Sequence, residues 1–380
     1  MSQEVVFGWS RTRRRRRVDE LRRLYTPGWL VGQARKRNQD VLVRAASLAE
    51  RGRAFEAIRL LTESNRRERN PDVEERLISL RHEAVLQRPK ARAGRVRTDI
   101  ADPFPEVVTT PPEVSARDLT GDVLTGCIRH HGCVVVRGLI PPPRVDRLVA
   151  DVDRAMSVAY GPPGSDGDAN DWYRPFNFPA YEVSENERWF VREMNAIWAT
   201  DSPPMFFDLM EAFEEAGIPA VVTEHFGEPP LLTAQKCAAA RSRVRPGSLA
   251  ASCWHQDGRF LGTGVRAVNV WLSLSHCGVD APSLDLIPVQ LNEYVESGTG
   301  DRYPGLGWTI GSAVVEAVSA ERGRPSVRPI FRPGDALLFD ELLLHQTGAD
   351  PGMTKTRYSF ECWFTAASTY PSTQWIPLVC

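Results

Sequence analysis

The chain has 380 residues, 42% of them hydrophobic and 25% charged, with a formal net charge of −1; this is the balance of one large globular domain or two smaller ones. No stretch approaches the roughly 20 consecutive apolar residues that span a bilayer, and no apolar segment follows the arginine run Arg13–Arg17 to complete a secretory or twin-arginine signal. Seven cysteines without a C-x-x-C pair argue against a disulfide framework or structural zinc and fit the reduced thiols of a cytoplasmic protein.

The charge is unevenly spread. Residues 1–100 hold 25 Lys and Arg against 13 Asp and Glu, whereas the rest of the chain holds 22 against 35. The basic segment reads either as an extension docked on an acidic body or as a tether for nucleic acid or another acidic partner. Within it, Leu48, Phe55, Ile58 and Leu61 fall near one face and predict a helix over about 43–64. Asn70-Pro71-Asp72 breaks the pattern. Val73, Leu77, Leu80 and Ala84 then predict a second helix, so a helical hairpin is expected over about 43–87. Leu48–Gly52 with Phe55 and Ala57-Ile58 resembles the first helix of a tetratricopeptide repeat. A single unit rarely buries its own core, so the hairpin is expected to pack on the main domain.

Residues 88–113 read as a linker, interrupted by Pro89, Pro103, Pro105, Pro111 and Pro112. The main domain, 114–380, opens with a short helix ending at His131-Gly132, a strand Cys133–Arg137 and a helix Pro143–Ala159. His130 and His131 precede a helix-ending glycine and read as capping or solvated. Gly161–Asn170 reads as a loop; it lacks the oxygen spacing of an EF-hand. The aromatics Trp172, Tyr173, Phe176 and Phe178 either line a substrate entrance or pin that loop to the core. From Leu231 onward, β-rich segments at Arg266–Leu274, Ser283–Pro288, Ser326–Phe331, Ala336–Phe339 and Arg357–Phe364 alternate with turns. The expected fold class is α+β: a double-stranded β-helix (jelly-roll, cupin-like) core with flanking helices, preceded by a basic α-helical N-terminal extension over 1–87.

The chemistry is concentrated in W-H-Q-D-G, residues 254–258. On a strand, i and i+2 share a face, so His255 and Asp257 are expected to project together. His345 follows a Pro-Gly-Asp turn and an apolar run, and Arg357 opens R-Y-S-F twelve residues later. Two histidines and one carboxylate on one side of an ion are the facial triad of non-haem Fe(II) oxygenases. The His345–Arg357 spacing suits adjacent antiparallel strands joined by Gly348–Gly352. That would set the guanidinium, with Ser359 on its face, where a planar fork binds a dicarboxylate. His82, His225 and His276 lack partners at ligand spacing and read as structural; Cys253 reads as a small core residue.

From about Thr125 to Thr365 the sequence resembles the phytanoyl-CoA dioxygenase family of Fe(II)/2-oxoglutarate oxygenases. The resemblance rests on C-V-V-V-R-G-L-I-P (133–141), W-H-Q-D-G-R-F-L-G (254–262), V-N-V-W-L-S-L (268–274) and P-G-D-A-L-L-F-D-E-L-L-L-H-Q-T-G (333–348). It implies that His255, Asp257 and His345 bind iron and that Arg357, helped by Ser359, holds the distal carboxylate of 2-oxoglutarate. It further implies that Thr347 reaches the same cosubstrate, that Trp271 packs beside it, and that Gln235 and Lys236 lie where relatives contribute pocket residues. The implied cofactors are Fe(II), 2-oxoglutarate as cosubstrate and O2, with decarboxylation to succinate and CO2 coupled to hydroxylation or desaturation of a small molecule. Halogenating relatives have a small residue where this chain has Asp257, so halogenation is disfavoured. Relatives often carry P-G-S-H where Ile287-Pro288-Val289-Gln290 stands here.

Two other readings stay open: a non-catalytic metal- or ligand-binding protein on the same fold, and a nucleic-acid-directed oxygenase using the basic N-terminus. Against the latter, nucleic-acid demethylases of the wider superfamily carry a second arginine where this chain has Trp363. The arginines of Arg241–Arg245 and Arg259 read equally as meeting an anionic substrate or as solvated.

Overall fold

The structure is a computed structural model describing residues 28–88, 94, 99–161, 171–178, 181, 185–244, 253–298, 307–371 and 375–380. Three helices come first: α1 (Gly28–Glu50), α2 (Ala54–Arg67) and α3 (Pro71–Leu86). The expected helix over 43–64 is therefore two helices. Gly52 adopts φ +74°, and Gly52 N and Arg53 N donate to the carbonyls of Ala49 and Leu48, a left-handed glycine turn that ends α1. Asn70 caps α3 by accepting from Asp72 N and Val73 N, with Pro71 in the first turn.

These helices bury Leu61, Val73, Leu77 and Leu80 against one another and against Phe207, each buried leucine contributing roughly 2 kcal/mol. They also lie along a sheet edge. Arg81 donates to Val379 O and His82 Nδ1 pairs with Pro377 O, both at 3.0 Å, covering backbone groups that an edge strand otherwise leaves open.

The rest of the chain runs β1 (Glu113–Ser115), α4 (Gly121–His131), β2 (Cys133–Arg137), α5 (Pro142–Ala159), α6 (Glu185–Glu193), β3 (Ala196–Trp198), α7 (Pro203–Glu215), α8 (Ile218–Phe226) and β4 (Pro230–Ser242). It continues through α9 (Gly258–Leu261), β5 (Ala267–Ser273), β6 (Ser283–Leu286), α10 (Ser312–Arg322), β7 (Ala336–Asp340), β8 (His345–Gly348), β9 (Arg357–Ala366) and β10 (Pro377–Val379). The result is a mixed α/β fold. A wide sheet in the order β1-β2-β7-β5-β9-β4-β10, with β3 also on β4, faces a ribbon of β6 and β8. Ser326–Phe331, expected as a strand, makes only single bridges at Val327 and Phe331.

Side-chain alternation divides the wide sheet into two cores. Val134, Val136, Val268, Val270, Leu272, Leu338, Phe360, Cys362 and Phe364 face the helical layer of α4, α5, α7 and α8. Cys133, Val135, Trp271, Leu337 and Phe339 face the ribbon residues Leu284 and Leu286. Phe176 and Phe178 join the helical core, so they pin their segment to it; residues 162–170 of the expected loop lie outside the described residues. His131, expected to cap or be solvated, is instead 1% exposed and paired with Asp102 at 2.9 Å, while His130 pairs with Ile100 O. Together they tie the linker to α4.

Candidate active site

His255 and His345 are opposed in an antiparallel bridge, His255 N donating to His345 O (2.9 Å) and His345 N to His255 O (3.1 Å). Directly opposed residues turn their side chains to the same face, which sets the two imidazoles 4.3 Å apart by ring centroid. Asp257 arrives by another route. It does not continue a strand, as expected from the spacing; it is helical (φ −56°, ψ −36°) and opens the one-turn helix α9. That turn brings Asp257 Oδ1 to 3.5 Å from both His255 Nε2 and His345 Nε2. Among the described residues this is the one cluster of three possible metal ligands, with ligand atoms within 4.8 Å of one another.

The remaining polar atoms of the triad are held by their neighbours. His255 Nδ1–H donates to Cys253 O (2.7 Å) and His345 Nδ1–H to Leu343 O (3.0 Å), which leaves each Nε2 as the ring atom turned toward Asp257. Asn269 Nδ2 donates to Asp257 Oδ2 (3.1 Å) and also reaches Glu361 Oε1 (3.3 Å). Gln256, between the two ligands and fully buried, donates to Leu342 O and Glu293 O and accepts from Val295 N. It clamps the irregular segment to its neighbours. Its position inside W-H-Q-D-G is visible in the sequence, but its partners are not.

Burial opposes charge on all three ligands, but at His255 it is outweighed by Asp257, which lifts that imidazole above its ordinary value. Burial, with His255 adding, pushes the His345 imidazole down to about 4, which keeps it neutral and ready to ligate. Burial pushes Asp257 up, but His345 and His255 outweigh it and hold the carboxyl below its ordinary value. What remains is Asp257 Oδ1, buried and without a hydrogen-bond partner, between the Nε2 atoms of His255 and His345. A buried carboxylate oxygen flanked by two imidazole nitrogens fits a divalent cation, and the mixed nitrogen and oxygen donors suit Fe(II).

Arg357 and Ser359 alternate with Tyr358 on β9 and so share the inner face. The expected hairpin of the His345 and Arg357 strands is not formed: β8 pairs with β6, and β9 pairs with β4 and β5. The residues meet across the gap between the two sheets instead. Arg357 Nη1 donates to Ser283 O (3.2 Å), and Ser283 pairs with Gly348, next to Thr347. The guanidinium lies 5.8 Å from the Trp271 ring centroid. Its Nε is buried and unpartnered, and no carboxylate lies within ion-pair distance among the described residues. A desolvated cation without a counter-ion fits a carboxylate ligand. Gln235 is differently occupied: its carbonyl accepts from Ile376 N (2.8 Å). The arginines read as meeting an anionic substrate or solvent have partners too, although Arg259 Nε stays buried and unpartnered. Arg241 pairs with Asp153, Arg243 with Thr354 O and Arg259 with Val295 O; Arg245 lies outside the described residues.

Two histidines and a carboxylate bared on one side form the metal triad of a non-haem Fe(II), 2-oxoglutarate-dependent oxygenase. The family model for phytanoyl-CoA dioxygenase matches residues 128–352, more than half of the chain, and the protein belongs to that family. It is an enzyme whose oxygenase chemistry is directed at a small molecule. Among solved structures, the chain is similar to AviO1 from Streptomyces viridochromogenes Tue57, at 18% identity and TM-score 0.43 over 67% of this chain and 98% of that one. It is similar to EvdO2 from Micromonospora carbonacea var. aurantiaca, complexed with 2-oxoglutarate, at 16% and 0.44 over 72% and 95%. A third is EctD from S. alaskensis with 2-oxoglutarate and 5-hydroxyectoine, at 16% and 0.44 over 74% and 86%. No curated protein matches. No helix among the described residues is long and apolar enough to cross a membrane.

Proposed function

We propose that the protein hydroxylates a small molecule, with His255, Asp257 and His345 holding Fe(II) and Arg357, supported by Ser359, Thr347 and Trp271, receiving the distal carboxylate of 2-oxoglutarate. Fe(II) and 2-oxoglutarate supply O2 activation, the cosubstrate leaving as succinate and CO2. The reading is carried by one observation: Asp257 Oδ1 and Arg357 Nε, an acceptor and a donor, are both buried and unpartnered. Asp257 occupies the position that a halide needs empty, which favours hydroxylation or desaturation. In the same reading the wide sheet and the β6–β8 ribbon, extended by the bridges at His255–His345 and Cys277–Phe331, correspond to the two sheets of a double-stranded β-helix. Residues 114–380 form the catalytic domain of a cytoplasmic enzyme, with 88–113 as linker and 1–87 as a helical extension.

The test is an anaerobic titration with Fe(II) and 2-oxoglutarate, following the visible metal-to-ligand charge-transfer band. A band in the wild type that is weakened or shifted in Asp257→Ala and Arg357→Ala is expected. A folded, metal-reloaded protein that gives no band would overturn the reading.

A further inference from the structure

The inner face of β9 continues past the cosubstrate end. Arg357, Ser359, Glu361 and Trp363 alternate along it, and from Arg357 to Trp363 a strand rises about 20 Å. Arg357 touches the ribbon at Ser283, Glu361 meets Asn269 beside Asp257, and Trp363 stacks on Phe260 with ring centroids 4.9 Å apart. The metal ligands thus lie between two poles. The second pole has its own cation. Lys236 Nζ lies 4.7 Å from the Phe260 ring centroid, 4.7 Å from that of Trp375 and 5.3 Å from that of Trp363. Phe260 also reaches the metal ligand His255, at 6.0 Å between ring centroids, so one phenyl ring separates the ammonium from the triad.

Nothing among the described residues hydrogen-bonds or ion-pairs with Lys236. The residue is partly exposed, so a ligand can reach it. Three aromatic faces soften the loss of water around the charge but give it no acceptor. The indole Nε1 atoms of Trp363 and Trp375, two of the three caging rings, are buried and unpartnered. Two indole N–H donors thus lie buried without acceptors beside a partly exposed ammonium, where buried polar groups are ordinarily satisfied. Burial pushes the Lys236 pKa down, opposed by Glu361, Asp257 and Glu187, none of them within ion-pair distance. Of the described arginines nearby in sequence, Arg241 is paired with Asp153, and Arg243 and Arg259 each donate to a backbone carbonyl, whereas the Lys236 ammonium has no acceptor among the described residues.

We propose that Lys236, within the Phe260, Trp363 and Trp375 cage, is a specificity-determining residue that receives an anionic group of the substrate, a carboxylate or a phosphate ester, and so holds its carbon skeleton over the metal. This rests on the oxygenase reading and names the substrate class of the same site. Neutral and cationic small molecules are selected against, because they leave the ammonium and the indoles without an acceptor.

The experiment uses the full chain, anaerobically loaded with Fe(II) and saturating 2-oxoglutarate, so that the charge-transfer band reports the cosubstrate pole throughout. Four probes of one chain length are titrated by calorimetry: hexanoate, hexyl phosphate, hexanol and hexylammonium. One or both anions are expected to bind at least tenfold more tightly than hexanol with the band retained, and whichever does identifies the group. Lys236→Met is expected to erase that preference, and Lys236→Arg to restore most of it. A preference that persists in Lys236→Met, equal binding of all four probes, or no binding of either anion overturns the proposal. An anion that binds only by bleaching the band is competing at Arg357 and also counts against it. If the band never forms, the oxygenase reading fails instead, and the two failures are distinct.

Discussion

The metal corner and the aromatic corner around Lys236 are neighbours on one strand face, built by opposite rules. At the metal corner the atoms turned away from the shared point are held: the two Nδ1 atoms by backbone carbonyls and Asp257 Oδ2 by Asn269. At the aromatic corner the partly exposed ammonium has rings around it and no acceptor among the described residues, and the indole donors of two of those rings are buried without partners. Unpaired buried donors cost a folded protein free energy, so they are tolerated where a ligand completes them. The chemistry is pre-organised, whereas recognition waits for its ligand.

That contrast is broken most severely at Asp257. In Asp257→Ala, the two imidazoles lose the carboxylate between them, and 2-oxoglutarate turnover is expected to fall roughly a thousandfold, about 4 kcal/mol. Succinate release at saturating iron measures it; turnover within tenfold of wild type would mean that the ion does not sit at this carboxylate. Arg357→Ala acts at the cosubstrate pole alone. Its KM for 2-oxoglutarate is expected to rise about a hundredfold, the usual cost of truncating one partner of a buried charge pair. Turnover at saturating cosubstrate should suffer much less. A fall in kcat with unchanged KM would instead place Arg357 outside the cosubstrate site.

Asn269 separates holding a ligand from being one. Its amide links Asp257 to Glu361, and Asn269→Ala is expected to weaken iron binding about tenfold to a hundredfold while leaving turnover at saturating iron nearly intact. Iron titration of the charge-transfer band reads the first effect and succinate release the second. Unchanged affinity would mean that Asp257 is oriented by α9 alone.

The same contrast explains what could be seen in the sequence. His255, Asp257 and His345 were legible because ligand types at short spacing, followed by a third histidine, point to an iron site whatever the local backbone. The backbone itself was not legible. A period-two reading cannot anticipate that Asp257 turns helical, or that His345 pairs with His255 rather than leading into the Arg357 strand. Gly52 splits a helix whose apolar period runs straight through it, because the period reports burial and not the left-handed turn. The Lys236 cage was invisible for a further reason: Phe260, Trp363 and Trp375 come from three separate segments, and nothing about an isolated lysine marks it as unpaired.

A histidine outside the site isolates what burial alone does. His225 lies on α8, its Nδ1 2.9 Å from Thr125 Oγ1. The Thr125 hydroxyl donates to Gly121 O, so its oxygen accepts from Nδ1–H. Burial, helped by Arg266, pushes His225 down to about 4 from an ordinary 6.5. Between those values the unfolded chain takes up a proton that the folded protein refuses. The cost of refusing it is therefore absent above pH 6.5 and grows as pH falls toward 4. It is expected to reach about 2 kcal/mol, less than the full shift would give because the ring keeps some contact with water. His345 is subject to the same pressure in metal-free protein, so the measurement is a difference: urea unfolding of wild type and His225→Gln at pH 7.5 and pH 4.5. Glutamine can still donate to Thr125 but does not titrate, so wild type should lose about 2 kcal/mol more than the variant on acidification. Equal losses would mean that His225 protonates without penalty, and that a low pKa in this protein needs the second imidazole found only at the metal corner.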